Sequence, residues 1–310
     1  MVRTGKRKTV SANLPFGWER HVLEDKKVVY VDNINKRTTF TDPRLAFARE
    51  MSSKDDWRGG GGGGFRQKHD ASSSAGQVVH GLDLTGKIAL VTGASGGIGY
   101  QTALALASQN CTVVLACRDL LRADKAANKI RSHRPTAQLD CLQLDLASFN
   151  SVKRFAAMVR MRYRKLDYLV LNAGVYLTSY NLTEDGFEEM MQVNYLSNFY
   201  LTHLLLSLLL LSPAPRVVTL TSESHRFSSL SSSSPPSSLH FSPGPGTFTP
   251  ILQYNDSKLF CLLLSRGLHT QYHHKSLTSL AVHPGNLIPT DLHRHSTGNI
   301  QIMSNVDHSF

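Results

Sequence analysis

The chain has 310 residues, a net charge of +11 from 34 Lys+Arg against 23 Asp+Glu, and 41% hydrophobic residues, enough for one large domain with a real core and one small one. Four cysteines over that length do not make a disulfide framework, which excludes a small secreted cystine scaffold and points to a reducing, cytoplasmic compartment. The basic residues are spread along the chain without an aromatic or zinc motif, so nucleic acid is not an expected partner, and an acidic cofactor and solubility account for the charge more simply.

Residues 1–13 form a basic tail. Its cluster Lys6-Arg7-Lys8 matches a short nuclear-localisation signal, which adds the nucleus to the expected locations. Residues 14–47 carry Leu14-Pro15-Phe16-Gly17-Trp18, then Val28 to Asp32, Thr38-Thr39-Phe40 and Asp42-Pro43. Short β runs separated by turn residues predict a small three-stranded all-β unit with a marginal core. Residues 48–80 contain Gly59 to Gly64 and Asp70-Ala71-Ser72-Ser73-Ser74-Ala75-Gly76. Such a composition cannot bury enough surface to fold, and the segment is predicted to be a flexible linker.

From residue 81 the pattern changes to alternating apolar runs and helix-like segments, which predicts a doubly wound parallel α/β sheet. Strands are predicted near 87–92, 111–117, 138–144, 166–171, 216–221 and 276–282, and helices over 98–108, 119–133, 148–163, 184–211 and 252–271. The apolar run Leu204 to Leu211, broken by Ser207, falls short of the ~20 residues that cross a bilayer. It reads as a buried helix end, and no transmembrane segment is expected.

The first apolar run ends in Gly93-Ala94-Ser95-Gly96-Gly97-Ile98-Gly99. Glycine at such a turn admits positive φ and close approach of a pyrophosphate, and the helix that follows offers free N–H groups to the anion. The spacing Gly-x-x-x-Gly-x-Gly departs from the usual G-x-G-x-x-G, so a plain strand-to-helix turn remains an alternative. The second run ends in Cys117-Arg118, where an acidic residue would suit the ribose 2′-hydroxyl of NAD(H). A guanidinium there suits a 2′-phosphate, and NADP(H) is the expected cofactor, with NAD(H) less favoured.

Further along, Asn172-Ala173-Gly174 closes one apolar run and Ser222 another, and Tyr254-Asn255-Asp256-Ser257-Lys258 opens the last helix. On a helix, i and i+4 share a face, so Lys258 comes beside Tyr254. An ammonium there favours the phenolate, which suits a group that gives and takes a proton.

Taken in order, these motifs resemble the short-chain dehydrogenase/reductase family over residues 82–290, in its retinol-dehydrogenase-like branch. The resemblance implies that Tyr254 is the catalytic acid/base, that Lys258 also holds the nicotinamide ribose, that Ser222 binds the substrate oxygen, and that Asn194 completes a proton relay. It implies further cofactor contacts from Gly93, Ser95, Gly97, Ile98, Gly99, Arg118, Asp145, Asn172, Ala173, Gly174, Pro284, Gly285 and Thr290. No metal is implied. The substrate class would be a lipid-like alcohol or ketone, such as a steroid or retinoid. The Ser/Pro/Gly-rich stretch from Phe227 to Pro250 falls where the family places a substrate-lining loop, with a disorder-like sequence.

Residues 14–47 are similar to a WW domain, a binder of proline-rich peptides of the Pro-Pro-x-Tyr type. By that resemblance Trp18 packs against Pro43 and Tyr30 forms one groove wall, while Phe40 stands where the second groove tryptophan belongs and Asn33 where a histidine belongs. A phenyl ring offers less area than an indole and no N–H, so a weakened groove is expected. The resemblance also places a stronger WW unit ahead of this chain and the dehydrogenase's last strand beyond it, so a C-terminally incomplete domain over 81–310 is expected. Two functions stay open: an oxidoreductase coupled to a WW interaction module, and a WW adaptor in growth, apoptosis or Wnt-type signalling whose dehydrogenase domain is a scaffold. Mitochondrial, Golgi or lysosomal association is implied by resemblance alone.

Overall fold

The computed structural model describes residues 18–22, 28–32, 37–39, 74–177, 179–230, 241 and 243–285. The chain divides into two units, Met1–Gln67 and Lys68–Phe310. In the first, β1 (Trp18–Val22), β2 (Val28–Asp32) and β3 (Arg37–Thr39) form an antiparallel sheet in that order. Valine, tyrosine and threonine suit the pleated backbone, and the register sets Tyr30 opposite Arg20 on one side and Thr39 on the other. Asn33, Phe40 and Pro43 lie outside the described residues, as does the greater part of the expected linker.

The second unit is built on six parallel strands, β4 (Ile88–Thr92), β5 (Thr112–Cys117), β6 (Leu139–Gln143), β7 (Tyr168–Leu171), β8 (Arg216–Leu220) and β9 (Thr278–Val282). Their spatial order is β6-β5-β4-β7-β8-β9. Each strand falls inside its predicted run, because strands covered on both faces read as continuous apolar segments. The chain winds outward from β4 first one way and then the other, so the strand order reverses between β4 and β7. That reversal opens the crevice in which doubly wound sheets hold ligands.

Helices α2 (Gly97–Ser108) and α3 (Leu120–His133) cover one face of the sheet, and α4 (Phe149–Arg162), α6 (Ser197–Leu209) and α7 (Pro250–Tyr272) cover the other. The period-two alternation of the strands feeds both layers. Val91, Val113 and Leu115 pack with Tyr100, Ala103 and Ile130 on the first face, while Leu90, Val114 and Leu169 pack with Phe155, Leu201 and Leu264 on the second. Each fully buried Leu, Val or Phe contributes roughly 1.5–3 kcal/mol relative to exposure.

A polar clamp ties the start of the sheet together. The fully buried Asp167 accepts from the Ile88 N–H at 3.0 Å and the Ser212 hydroxyl at 2.7 Å, and pairs with Lys165 at 3.0 Å and Lys87 at 3.4 Å. Burial pushes its carboxyl up, yet Ser212, Ile88 and Lys165 together outweigh burial and hold it below the usual carboxylate range.

Two elements differ from the sequence reading. Inside the stretch read as linker through residue 80, Ala75–Val79 form a short helix, α1, because Ser74 and Gln77 satisfy each other's backbone N–H groups in a capping box. The helix read over 184–211 begins at Glu189, where the Glu188 carboxylate accepts from Met190 and Met191 N–H at 2.9 and 2.8 Å. It then runs as α5 (Glu189–Met191), a π-turn over Gln192–Leu196, and α6. Hydrophobic period alone cannot reveal either a cap or a π-turn.

Candidate active site

β4 ends at Thr92, and the chain turns through the glycine cluster into α2. Gly93 has φ +68°, and Gly99 lies against the same turn. A Cβ on Gly99 would sit 2.4 Å from the Gly93 carbonyl oxygen and 2.5 Å from Asn172 Nδ2, so no larger residue fits. The N-cap of α2 is Gly96, with no side-chain capping bond. By contrast Asp119 and Ser148 cap α3 and α4 with their own side chains. The first-turn N–H groups of α2 are thus left for an outside acceptor, and the helix dipole adds positive partial charge there. This uncapped, glycine-rich turn fits the pyrophosphate of a dinucleotide.

Ser95 follows the turn, and at the end of β5 burial pushes the Cys117 thiol up. Arg118 follows as an exposed residue whose guanidinium has no ion pair among the described residues. Arg122, four residues on, reaches within 3.9 Å of the place a Cβ on Gly96 would occupy. Arg122 therefore borders the glycine turn, a guanidinium the sequence reading did not name. The spacing Arg118-x-x-x-Arg122 was the available signal.

On the opposite side of the crevice, Tyr254 and Lys258 stand one turn apart on α7 and are 9% and 5% exposed. The Lys258 ammonium lies 5.5 Å from the centre of the Tyr254 ring and donates to the Leu220 carbonyl at 3.3 Å. The Tyr254 ring meets Tyr176 edge to face at 5.3 Å. Burial pushes the Tyr176 phenol up, and the neighbouring Tyr254 adds to that.

Asn194 sits in the π-turn and locks the segment after β7 in place. Its Oδ1 accepts from Val175 N–H at 2.7 Å, and its Nδ2 donates to the Val175 carbonyl and the Ser257 hydroxyl, each at 3.0 Å. The Asn194 carbonyl accepts from Asn198 Nδ2 at 3.0 Å and the Cys261 thiol at 3.2 Å. A Cβ on Gly174 would lie 3.2 Å from Asn194 Oδ1 and 3.3 Å from Lys258 Nζ. Gly174, Asn194 and Lys258 therefore converge on one point.

Ser222 follows β8 and caps a short 3₁₀ turn, its hydroxyl accepting from Ser224 N–H at 3.3 Å. The preceding Thr221 hydroxyl donates to the Lys258 carbonyl at 2.7 Å, which ties this turn to α7. Glu223 N–H donates to His283 Nδ1 at 3.3 Å, so Pro284 and Gly285 stand beside the same turn. Asp145 folds onto its own loop, accepting from Ala147 N–H at 2.9 Å. Thr290 lies outside the described residues. In the other unit Tyr30 is 7% exposed.

The sequence reading missed Thr92, whose buried hydroxyl accepts from the N–H groups of Asn172 and Ala173 at 3.0 and 2.9 Å. Asn172 answers by donating from Nδ2 to the Thr92 carbonyl at 2.8 Å. These bonds fix the Asn172–Gly174 turn directly against the glycine cluster. Between Ser222 and Tyr254, the described part of the Ser/Pro/Gly-rich insert is pinned to α7. Ser228 and Ser229 hydroxyls donate to Asp256 at 2.6 and 2.8 Å, and Phe241 lies 5.2 Å from Phe260.

The short chain dehydrogenase family matches residues 87–234. The WW domain-containing oxidoreductase of Drosophila melanogaster is 38% identical over 94% of this chain and 70% of its own length. Human retinol dehydrogenase 12 is 37% identical over 70% of this chain and 66% of its own length. Among solved structures, a short chain dehydrogenase from Escherichia coli CFT073 complexed with NADPH superposes with a TM-score of 0.52 at 26% identity, over 65% of this chain and 77% of that one. Glycine turn, Asn172–Gly174, Asn194, Ser222 and Tyr254-x-x-x-Lys258 occupy one crevice in a chain with these relatives, and the chain belongs to the short-chain dehydrogenase family, in the group of the WW domain-containing oxidoreductases.

Proposed function

We propose that the chain is an NADP(H)-linked oxidoreductase acting on the alcohol or carbonyl group of a lipid-like substrate of the steroid or retinoid class. The observation that carries this reading is the pairing of an uncapped, glycine-rich helix N-terminus at α2 with Tyr254 and Lys258 across the same crevice. The α2 N–H groups and Ser95 hold the pyrophosphate, and Arg118 with Arg122 hold the 2′-phosphate through charge-assisted bonds. When bound, the nicotinamide supplies or accepts the hydride. Ser222 orients the substrate oxygen, Tyr254 gives or takes its proton, and Lys258 keeps positive charge beside the phenol. Asn194 acts as a positioning residue by holding Val175 and Ser257.

The substrate class is supported by the retinol dehydrogenase relative, and the cofactor by the Arg118–Arg122 pair and by the NADPH-bound neighbour. The N-terminal unit is assigned a WW role with weak affinity for proline-rich peptides, which the WW domain-containing relatives support. Melting of the full chain with NADPH or NADH tests the cofactor site. A ligand at a hundredfold its Kd adds about 2.7 kcal/mol to the folded state, so NADPH should raise the melting temperature and NADH should not. Equal response to both overturns the Arg118 argument. Tyr254→Phe should keep NADPH binding and lower carbonyl reduction by about 10²-fold or more across a steroid and retinoid panel, and wild-type turnover would overturn the assignment of the proton to Tyr254.

A further inference from the structure

Cations that look scattered along the sequence gather on one face of α4. Between Asp145 and Asp167 the chain has no acidic residue, but it has Lys153, Arg154, Arg160, Arg162, Arg164 and Lys165. Val152, Phe155, Ala156 and Val159 turn α4 toward the core, so the other side of the helix, with Lys153, Arg154, Arg160 and Arg162, is exposed, as is Arg164 just beyond it. Lys165 pairs with Asp167. The other five have no ion pair among the described residues.

The acidic groups packed near this helix do not neutralise that face. Glu184 and Asp185 bind Ser148 and the Phe149 N–H at its N-terminal end, Asp140 accepts from the Tyr163 hydroxyl, and Asp167 is fully buried. A cation in the last turn complements the helix dipole, worth typically 0.3–1 kcal/mol, which accounts for one or two of the five. Among them stands Met161, 87% exposed, with Met158 one turn before it at 36%. Leu211 is 67% exposed at the end of α6, where the Leu166 N–H to Leu208 carbonyl bond brings that end beside the residues that follow α4. Helix stability asks for no apolar side chain in water at these places.

We propose that this face of α4 is a docking surface for an anionic lipid bilayer. Arginines on long apolar stems reach headgroup phosphates and carboxylates, while a flexible thioether enters the acyl boundary between them. A nucleic acid would also take up the cations, but it offers nothing to Met161 and Leu211, and the exposed face carries no aromatic ring for stacking. The surface does not depend on turnover or on the cofactor reading.

The test is co-sedimentation of the full chain with vesicles of pure phosphatidylcholine and of a phosphatidylcholine–phosphatidylserine mixture. The chain should bind the mixed vesicles, ignore the neutral ones, and lose binding near ~1 M salt, where the screening length falls to ~3 Å. Each Lys or Arg near an anionic surface contributes about 1 kcal/mol, or about fivefold. Arg160→Gln/Arg162→Gln/Arg164→Gln should therefore weaken binding by about 100-fold, and Lys125→Gln/Lys129→Gln on the opposite sheet face should leave it unchanged. Should the triple variant melt early, each single Arg→Gln change reads the same loss at about fivefold. Met161→Trp should add an emission to that of Trp18 and Trp57, and its difference from the parent should shift to the blue on mixed vesicles alone. Equal binding to neutral vesicles, an unaffected triple variant, or an equal loss in the α3 control overturns the proposal. A short DNA duplex that binds the chain where mixed vesicles do not would reassign the patch to nucleic acid.

Discussion

Thr92→Val isolates the hydroxyl that joins the two halves of the crevice. Valine keeps the shape of threonine and suits the buried strand end, so the change removes the acceptor of two N–H groups together with a long bond from the hydroxyl to the Val170 carbonyl at 3.4 Å. Two N–H groups, of Asn172 and Ala173, lose their partner, at about 1–3 kcal/mol each when fully buried. Replacing the hydroxyl by a methyl returns about 0.8 kcal/mol. Because Asn172 and Ala173 are half-buried, water reaches part of the gap, and the net loss should lie in the lower part of the range, about 1–3 kcal/mol. Urea unfolding followed by circular dichroism and tyrosine fluorescence reads this as a lower midpoint at unchanged slope. Thr92→Ser keeps the acceptor and drops a methyl, and should cost about 1 kcal/mol. The turn carries Gly174 against Lys258, so Thr92→Val should also weaken NADPH stabilisation while Thr92→Ser retains it. A Thr92→Val midpoint within error of the parent, or a Thr92→Ser loss as large as that of Thr92→Val, would refute the assigned role.

Gly99→Ala places a Cβ 2.4 Å from the Gly93 carbonyl, so the turn must shift, and the NADPH-induced rise in melting temperature should vanish; a retained rise shows that the cradle lies elsewhere. Asp167→Asn tests the clamp through pH. A carboxyl held below its unfolded value of about 3.9 stabilises the fold above that pH and loses its contribution as pH falls through the folded value. The Asn variant should be less stable by roughly 1–3 kcal/mol at neutrality, less than for a fully desolvated pair because Lys87 and Lys165 are a third exposed, and the gap should narrow below about pH 4. A constant gap from pH 7 to about pH 3 excludes the ion pairs as its source.

The sheet was legible because parallel strands covered on both sides must be apolar throughout, as Ile88–Thr92 and Thr112–Cys117 are. Gly93, Gly99 and Tyr254-x-x-x-Lys258 were legible because sterics and helical spacing restrict which residues serve. Thr92 was not, since one threonine in a strand has many uses and its partners lie eighty residues away. Arg122 hid in a charged helix, and the α4 cations read as scattered because linear order conceals which of them share a helix face. Glu188 and the π-turn escaped because neither leaves a periodic trace.

The π-turn over Gln192–Leu196 sets helix regularity against aim. Removing one residue ahead of Asn194 would restore an ordinary α-helical ladder and rotate everything upstream by about 100° relative to α6. Such a deletion improves the helix as a helix while releasing Val175 and Ser257 from the side chain that now holds both. A chain shortened in this way would remain well folded and yet lose the alignment between the strand that ends at Leu171 and the helix that carries Tyr254, so the spare residue here serves geometry rather than helix stability.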